Sequence, residues 1–173
     1  MTPQIQPEPK IERVFNTPLE CGLRMLFVLH ASSPAASDLQ RLISYDYLLV
    51  HSGDVDKKTG SLHPAVPFRG SEWLVKRDLV RSALDLMFAR ELIEKHLSKL
   101  GITYVASPLT APFIDLLKTD YSVELRSRAK WVADEFGSMD DDKLRKFMED
   151  NIGKWGAEFE HMSALRDLDL GIE

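Results

Sequence analysis

Apolar residues recur along this chain at helical spacing, in blocks bounded by turn chemistry. Leu19, Leu23, Leu26, Phe27 and His30 predict a first helix from Thr17 or Pro18 to about Ala31. Thr17 suits its cap and Pro18 its first position. "ASSPAASD" breaks the pattern, with Pro34 as punctuation. Ser37 suits the cap of a second helix, Asp38 to about Ser52, which Gly53 ends. Residues 53–70 hold three Gly and two Pro and predict a long irregular loop, a length usually associated with function or mobility. A third helix runs from about Ser71 to Arg90, with Leu79, Val80, Ala83, Leu84, Met87 and Phe88 on its buried face. Ile93–Ser98 and Ile102–Ala106 then read as a small hairpin turning near Gly101. "SPLTAPFIDLLKT" is a short fourth helix. "DYSVELRSRAKWVADEF" is a longer fifth, with Leu125, Ala129, Val132 and Phe136 on one face. Gly137 closes it. Ser138 and Asp141, at capping-box spacing, open a sixth helix near Asp140 to Ile152.

This order predicts a mainly α fold: an elaborated winged helix-turn-helix with a small β-hairpin wing and extra C-terminal helices. The long loop stands where a compact module of this kind has a tight turn. The chain divides into three regions: a flexible, Pro-rich lead-in over 1–16, a winged-helix-like domain over 17–136, and an acidic helical extension over 137–173.

Composition narrows the class. At 173 residues, with 44% hydrophobic and 28% charged residues, the chain suits one globular domain with an extension. No apolar run is long enough for a bilayer, so no membrane is expected. The polar start resembles neither a signal peptide nor a transit peptide. One cysteine, Cys21, excludes an internal disulfide and a cysteine-rich zinc site, and points to a reducing cytoplasm. The net charge of −5 sits at one end. Residues 134–173 hold 12 Asp and Glu against 5 Lys and Arg, leaving the first 133 near neutral. That balance argues against a coat for indiscriminate nucleic-acid binding and leaves room for a local basic face.

"RLISYDYLLVHSGD", residues 41–54, is where chemistry is first suspected. Asp46 falls on the apolar stripe of Leu42, Ile43, Leu49 and Val50. A buried carboxylate is costly unless paired. It is either a general base with His51 or His30 beside it, or a structural group that accepts bonds from backbone amides, a histidine or an arginine and locks the loop below. Five residues separate Asp46 from His51, a poor match to one helical face. The five histidines form no metal-binding spacing, and no nucleophile elbow, P-loop or dinucleotide fingerprint occurs. No cofactor and no metal are expected, and no catalytic residue is assigned. Arg69, Lys76, Arg77 and Arg81 are the basic candidates for DNA or a partner, interrupted by Glu72, Asp78 and Asp85. Trp155 and Phe159, aromatics in an acidic background, are candidates for partner contact in the tail.

Five segments, "LHASSP", "YDYLLVHSGD", "SLHPAVPFRGSEWLVKRDLV", "GITYVASPLTAPFIDLL" and "YSVELRSRAKWV", occur in an order that resembles the middle component of the ABC three-component systems. That component is similar to the small accessory subunit of Lamassu-type bacterial defence complexes. The resemblance spans about Leu23 to Phe136. It implies a non-catalytic adaptor between an SMC-like ATPase, which senses foreign or unusual DNA, and an effector, often a nuclease. DNA would be met through the complex. The residues read unaided leave a second possibility, a winged-helix DNA-binding regulator, and a third, an enzyme with a site assembled near Asp46, His51 and His63.

Overall fold

The computed structural model describes residues 17–99 and 101–157. The predicted lead-in and Phe159 lie outside them. α1 (Pro18–Ser32) starts where expected: the Thr17 side chain accepts from the Glu20 amide, and the Glu20 carboxylate accepts from the Thr17 amide. The short strand β1 (Ser37–Asp38) comes next, then α2 (Leu39–Val50), capped by Asp38 and not by Ser37. α3 (Glu72–Val75) and α4 (Arg77–Ala89) replace the single helix expected over 71–90. The break falls at Lys76, whose ψ of −4° lies at the edge of the right-handed helical region. β2 (Ile93–Ser98) and β3 (Gly101–Ala106) form the hairpin. α5 (Thr110–Asp115), α6 (Asp120–Phe136) and α7 (Asp141–Ile152) complete the order. Asp140, not Ser138, caps α7, accepting from the Lys143 amide.

The protein is mainly helical, with a three-stranded antiparallel sheet in the order β1-β3-β2. Ser37 pairs with Tyr104 and Asp38 with Thr103, so a strand of two residues closes one edge of the hairpin. β1 escapes sequence reading because two residues show no alternation.

The core lies where α1 packs against α4 and α6, with α2 crossing them. Helix α2 is buried from Leu42 to Val50, and α1 is buried at Cys21, Gly22 and from Arg24 to Leu29. Phe88, expected on the buried face, is nearly half exposed. Phe88 instead carries the Lys95 ammonium 4.5 Å above its ring.

The long loop is ordered by α2 and by the chain after α7. The amides of Leu62 and His63 both donate to the Val50 carbonyl at 3.0 Å. α7 packs on α2 and on the 3-10 turn Arg69–Ser71. Trp155, placed by sequence among tail aromatics for a partner, is buried and stacked on Tyr47 at 4.9 Å. Its carbonyl accepts from the Gly70 amide. Both backbones come too close for side chains. A Cβ on Gly70 would lie 2.0 Å from the Ile152 oxygen, and one on Gly156 would lie 2.6 Å from the Phe68 nitrogen. Gly156 also has φ +92°, where a side chain is strained. Gly156→Ala should therefore cost about 2 kcal/mol, by the rule for strained glycine positions. Chemical denaturation of the variant measures it.

Candidate functional site

Asp46 is fully buried at the centre of an ionic cluster. Arg24, on the inner face of α1, donates through Nε to Oδ1 at 2.7 Å and through Nη2 to Oδ2 at 3.2 Å. Lys76 turns inward at the α3–α4 break and donates from Nζ to Oδ2 at 3.0 Å. The same ammonium lies 3.0 Å from Glu72 Oε2, and His51 Nε2 lies 3.4 Å from that oxygen. Arg24, Asp46, His51 and Lys76 are all at least 95% buried; only Glu72 reaches solvent. Three elements are thereby pinned through one carboxylate.

The charges are set by these contacts. Burial alone would raise the Asp46 carboxyl, but the Arg24 guanidinium and the Lys76 ammonium overcome it and hold the group well below the usual carboxylate range. Burial likewise works against Glu72, and the hydrogen bond with His51 and the charge of Lys76 bring it down to about 2. Burial, then the positive charge of Arg24, pushes His63 down to about 4. Burial pushes the Cys21 thiol far above its ordinary value, so it is no nucleophile.

A second cluster fixes the loop. Arg69 Nε donates to Asp54 Oδ2 at 2.9 Å and Nη2 to Oδ1 at 2.5 Å. The Tyr47 hydroxyl donates to Asp54 Oδ2 at 2.7 Å. Burial raises that hydroxyl, which keeps it protonated as a donor. The Tyr47 ring lies between His51, at 4.8 Å, and Trp155. Across α2, Arg41 donates from Nη1 to the Tyr45 hydroxyl and from Nε to Asp141, both at 2.7 Å, which ties α2 to the start of α7.

The sequence-derived candidates therefore separate. Asp46, His51 and Lys76 share one cluster, Arg69 belongs to the second, and Trp155 packs beside it. Arg69 and Lys76 are buried and committed to carboxylates, so they present no basic face. Arg77 and Arg81 stand exposed on α4, with no side-chain partner among the described residues. Of the two readings of Asp46, the structure gives it an arginine, and a lysine in addition. His51 turns to Glu72 instead. Arg24, Glu72, Tyr47, Asp54 and Arg41 were not singled out from sequence. A lone arginine inside the apolar run of α1 was the available signal for a buried partner of Asp46.

Chemically, this arrangement holds charge in place. Two buried cations hold Asp46 ionised and oppose its taking up a proton, which makes it a poor general base. Among the described residues no three His, Cys, Asp or Glu side chains converge as a metal set, and no helix is long and apolar enough to cross a membrane. The model of the family "ABC-three component (ABC-3C) system Middle Component 2" matches residues 14–158. No curated protein and no solved structure matches the chain.

Asp46→Ala leaves Arg24 and Lys76 buried without their anion and should cost about 3–5 kcal/mol, the usual penalty for a broken buried pair; urea denaturation reads it. The pH dependence has two limbs. His63 goes from 6.5 to about 4 on folding, so the unfolded ring takes up protons first and stability falls as pH drops from 6.5 to 4. Glu72 goes from 4.5 to about 2, and Asp46 is also depressed, so their contribution is complete above pH 4.5 and is lost as pH falls towards 2. Melting temperature across pH 2–8 should show both limbs, and Asp46→Asn should flatten the lower one.

Proposed function

The chain belongs to the middle component 2 family of ABC-three component systems, and from that premise we propose that it is a non-catalytic adaptor in a bacterial defence complex. It joins an SMC-like ATPase to an effector nuclease, in the manner of the small accessory subunit of Lamassu-type systems. Membership in a three-component system itself implies protein partners. The adaptor reading is carried by one observation: of the residues best suited to proton chemistry, Asp46 is committed to buried ion pairs, Glu72 to the Lys76 ammonium, and His51 to a contact with Glu72. They stiffen the junction of α1, α2 and α3, which favours a scaffold over a site of turnover. A cytoplasmic setting accords with this role.

A second reading, a winged-helix DNA-binding regulator, has its own support. A β2–β3 hairpin that follows α4 and is edged by β1, in a mainly helical chain, supports this reading. α4 occupies the place of the reading helix, and Arg77 and Arg81 are exposed on it.

Affinity purification of the tagged chain, expressed with the other two components of its system, tests the adaptor. The expected result is a stable complex that Asp46→Ala loses together with melting temperature. Unchanged melting and unchanged retention in that variant would refute the scaffold role of the cluster. A gel shift tests the alternative. Salt-sensitive DNA binding by the isolated chain, lost in Arg77→Ala with Arg81→Ala, would favour the regulator. The adaptor predicts little shift at moderate salt. Turnover of any compound by the purified chain would sink both.

A further inference from the structure

The stretch from residue 68 to 76 has its polarity reversed. Arg69 turns in to Asp54, Glu72 to Lys76 and His51, and the Trp73 indole to the Ser44 hydroxyl at 2.9 Å. The apolar side chains stand outside: Phe68 is 59% exposed, Leu74 66% and Val75 75%. Scattered exposed apolar residues are ordinary, but a run of them on backbone pinned by buried ion pairs marks a contact surface. Phe68 has φ 55° and ψ 26°, a left-handed conformation rare outside glycine. A groove of about 230 Å³ opens beside it, lined by Phe68, Leu74, Ile152 and Trp155. α4 continues directly from this ridge and presents Arg77 and Arg81, one turn apart and exposed.

We propose that Phe68, Leu74 and Val75, with Arg77 and Arg81 beside them, form the docking site for an acidic amphipathic helix of a companion subunit. This rests on the adaptor reading and names the surface through which the adaptor works. One large apolar side chain of the incoming helix enters the groove, and the rest of its apolar stripe covers Leu74 and Val75. Carboxylates on its flank meet the two arginines. Asp78 is exposed between those arginines, so the carboxylates must sit over the arginines and not over it, a register that a folded helix provides. Nucleic acid fits less well. Phosphates would meet Arg77 and Arg81 but leave the apolar ridge against a polar backbone, forgoing its burial.

The test uses the full chain copurified with the other two components. If the unaltered chain is not retained by them, the adaptor reading falls and this inference falls with it. If it is retained, Leu74→Asp with Val75→Asp should weaken the association at least about tenfold, as for a central interface contact. Melting temperature should be unchanged, because both side chains are exposed. Arg77→Glu with Arg81→Glu should also weaken it and reduce its dependence on salt. Undiminished association in the first variant overturns the docking site and leaves the adaptor standing. A photo-crosslinking amino acid at position 74 in the assembled complex identifies the occupant. Linkage to a companion peptide with acids flanking an apolar stripe supports the proposal. Linkage to DNA, to a second copy or to residues 158–173 of the same chain overturns it.

Discussion

The Asp46 carboxylate, fully out of water on the inner face of α2, receives Arg24 from α1 and Lys76 from the α3–α4 junction. Removing such charges from water costs several kcal/mol each, and their mutual attraction recovers that only with good geometry. Here the geometry is two-point from the arginine and short from the lysine. Apolar residues of equal volume would pack there at no loss of stability, but they would not dictate direction. A carboxylate with two cations does. It ties α2 to α1 and to the chain at Lys76, whose ammonium points inward. The break between α3 and α4 falls at a member of the cluster.

Two helices flank that break. α3 is one turn long, and Glu72 and Trp73 anchor its inner side. Val75 faces water, and α4 has its own buried face of Val80, Ala83, Leu84 and Met87. The Tyr47–Asp54–Arg69 cluster performs the same service at the other end of the loop. Between them, residues 53–70 carry few core side chains of their own and still hold a defined course.

The helical parts of this architecture were legible because each carries a strong local signal. Thr17 and Pro18 announce the start of α1, and Leu125, Ala129, Val132 and Phe136 mark one face of α6 with little ambiguity. The hairpin was legible from Ile102, Tyr104 and Val105 beside Gly101. Lys76 was not, since a lysine between Val75 and Arg77 reads as a solvated helical position, and only tertiary pairing with Asp46 overrides that. Asp46 itself could be recognised as buried, but its partners lie 22 and 30 residues away, beyond any local spacing rule. Trp155 illustrates the converse. An acidic neighbourhood suggested an exposed aromatic, whereas the flat face of Tyr47 and the two glycines at 70 and 156 create a seat for it.

The close contacts at Gly70 and Gly156 and the Tyr47–Trp155 stack bind the loop's end to the chain beyond α7, more than 80 positions downstream. The two segments pack on one another at backbone distance, the kind of contiguous contact from which cooperative opening units are built. The course of the loop's end therefore depends on the chain that follows α7.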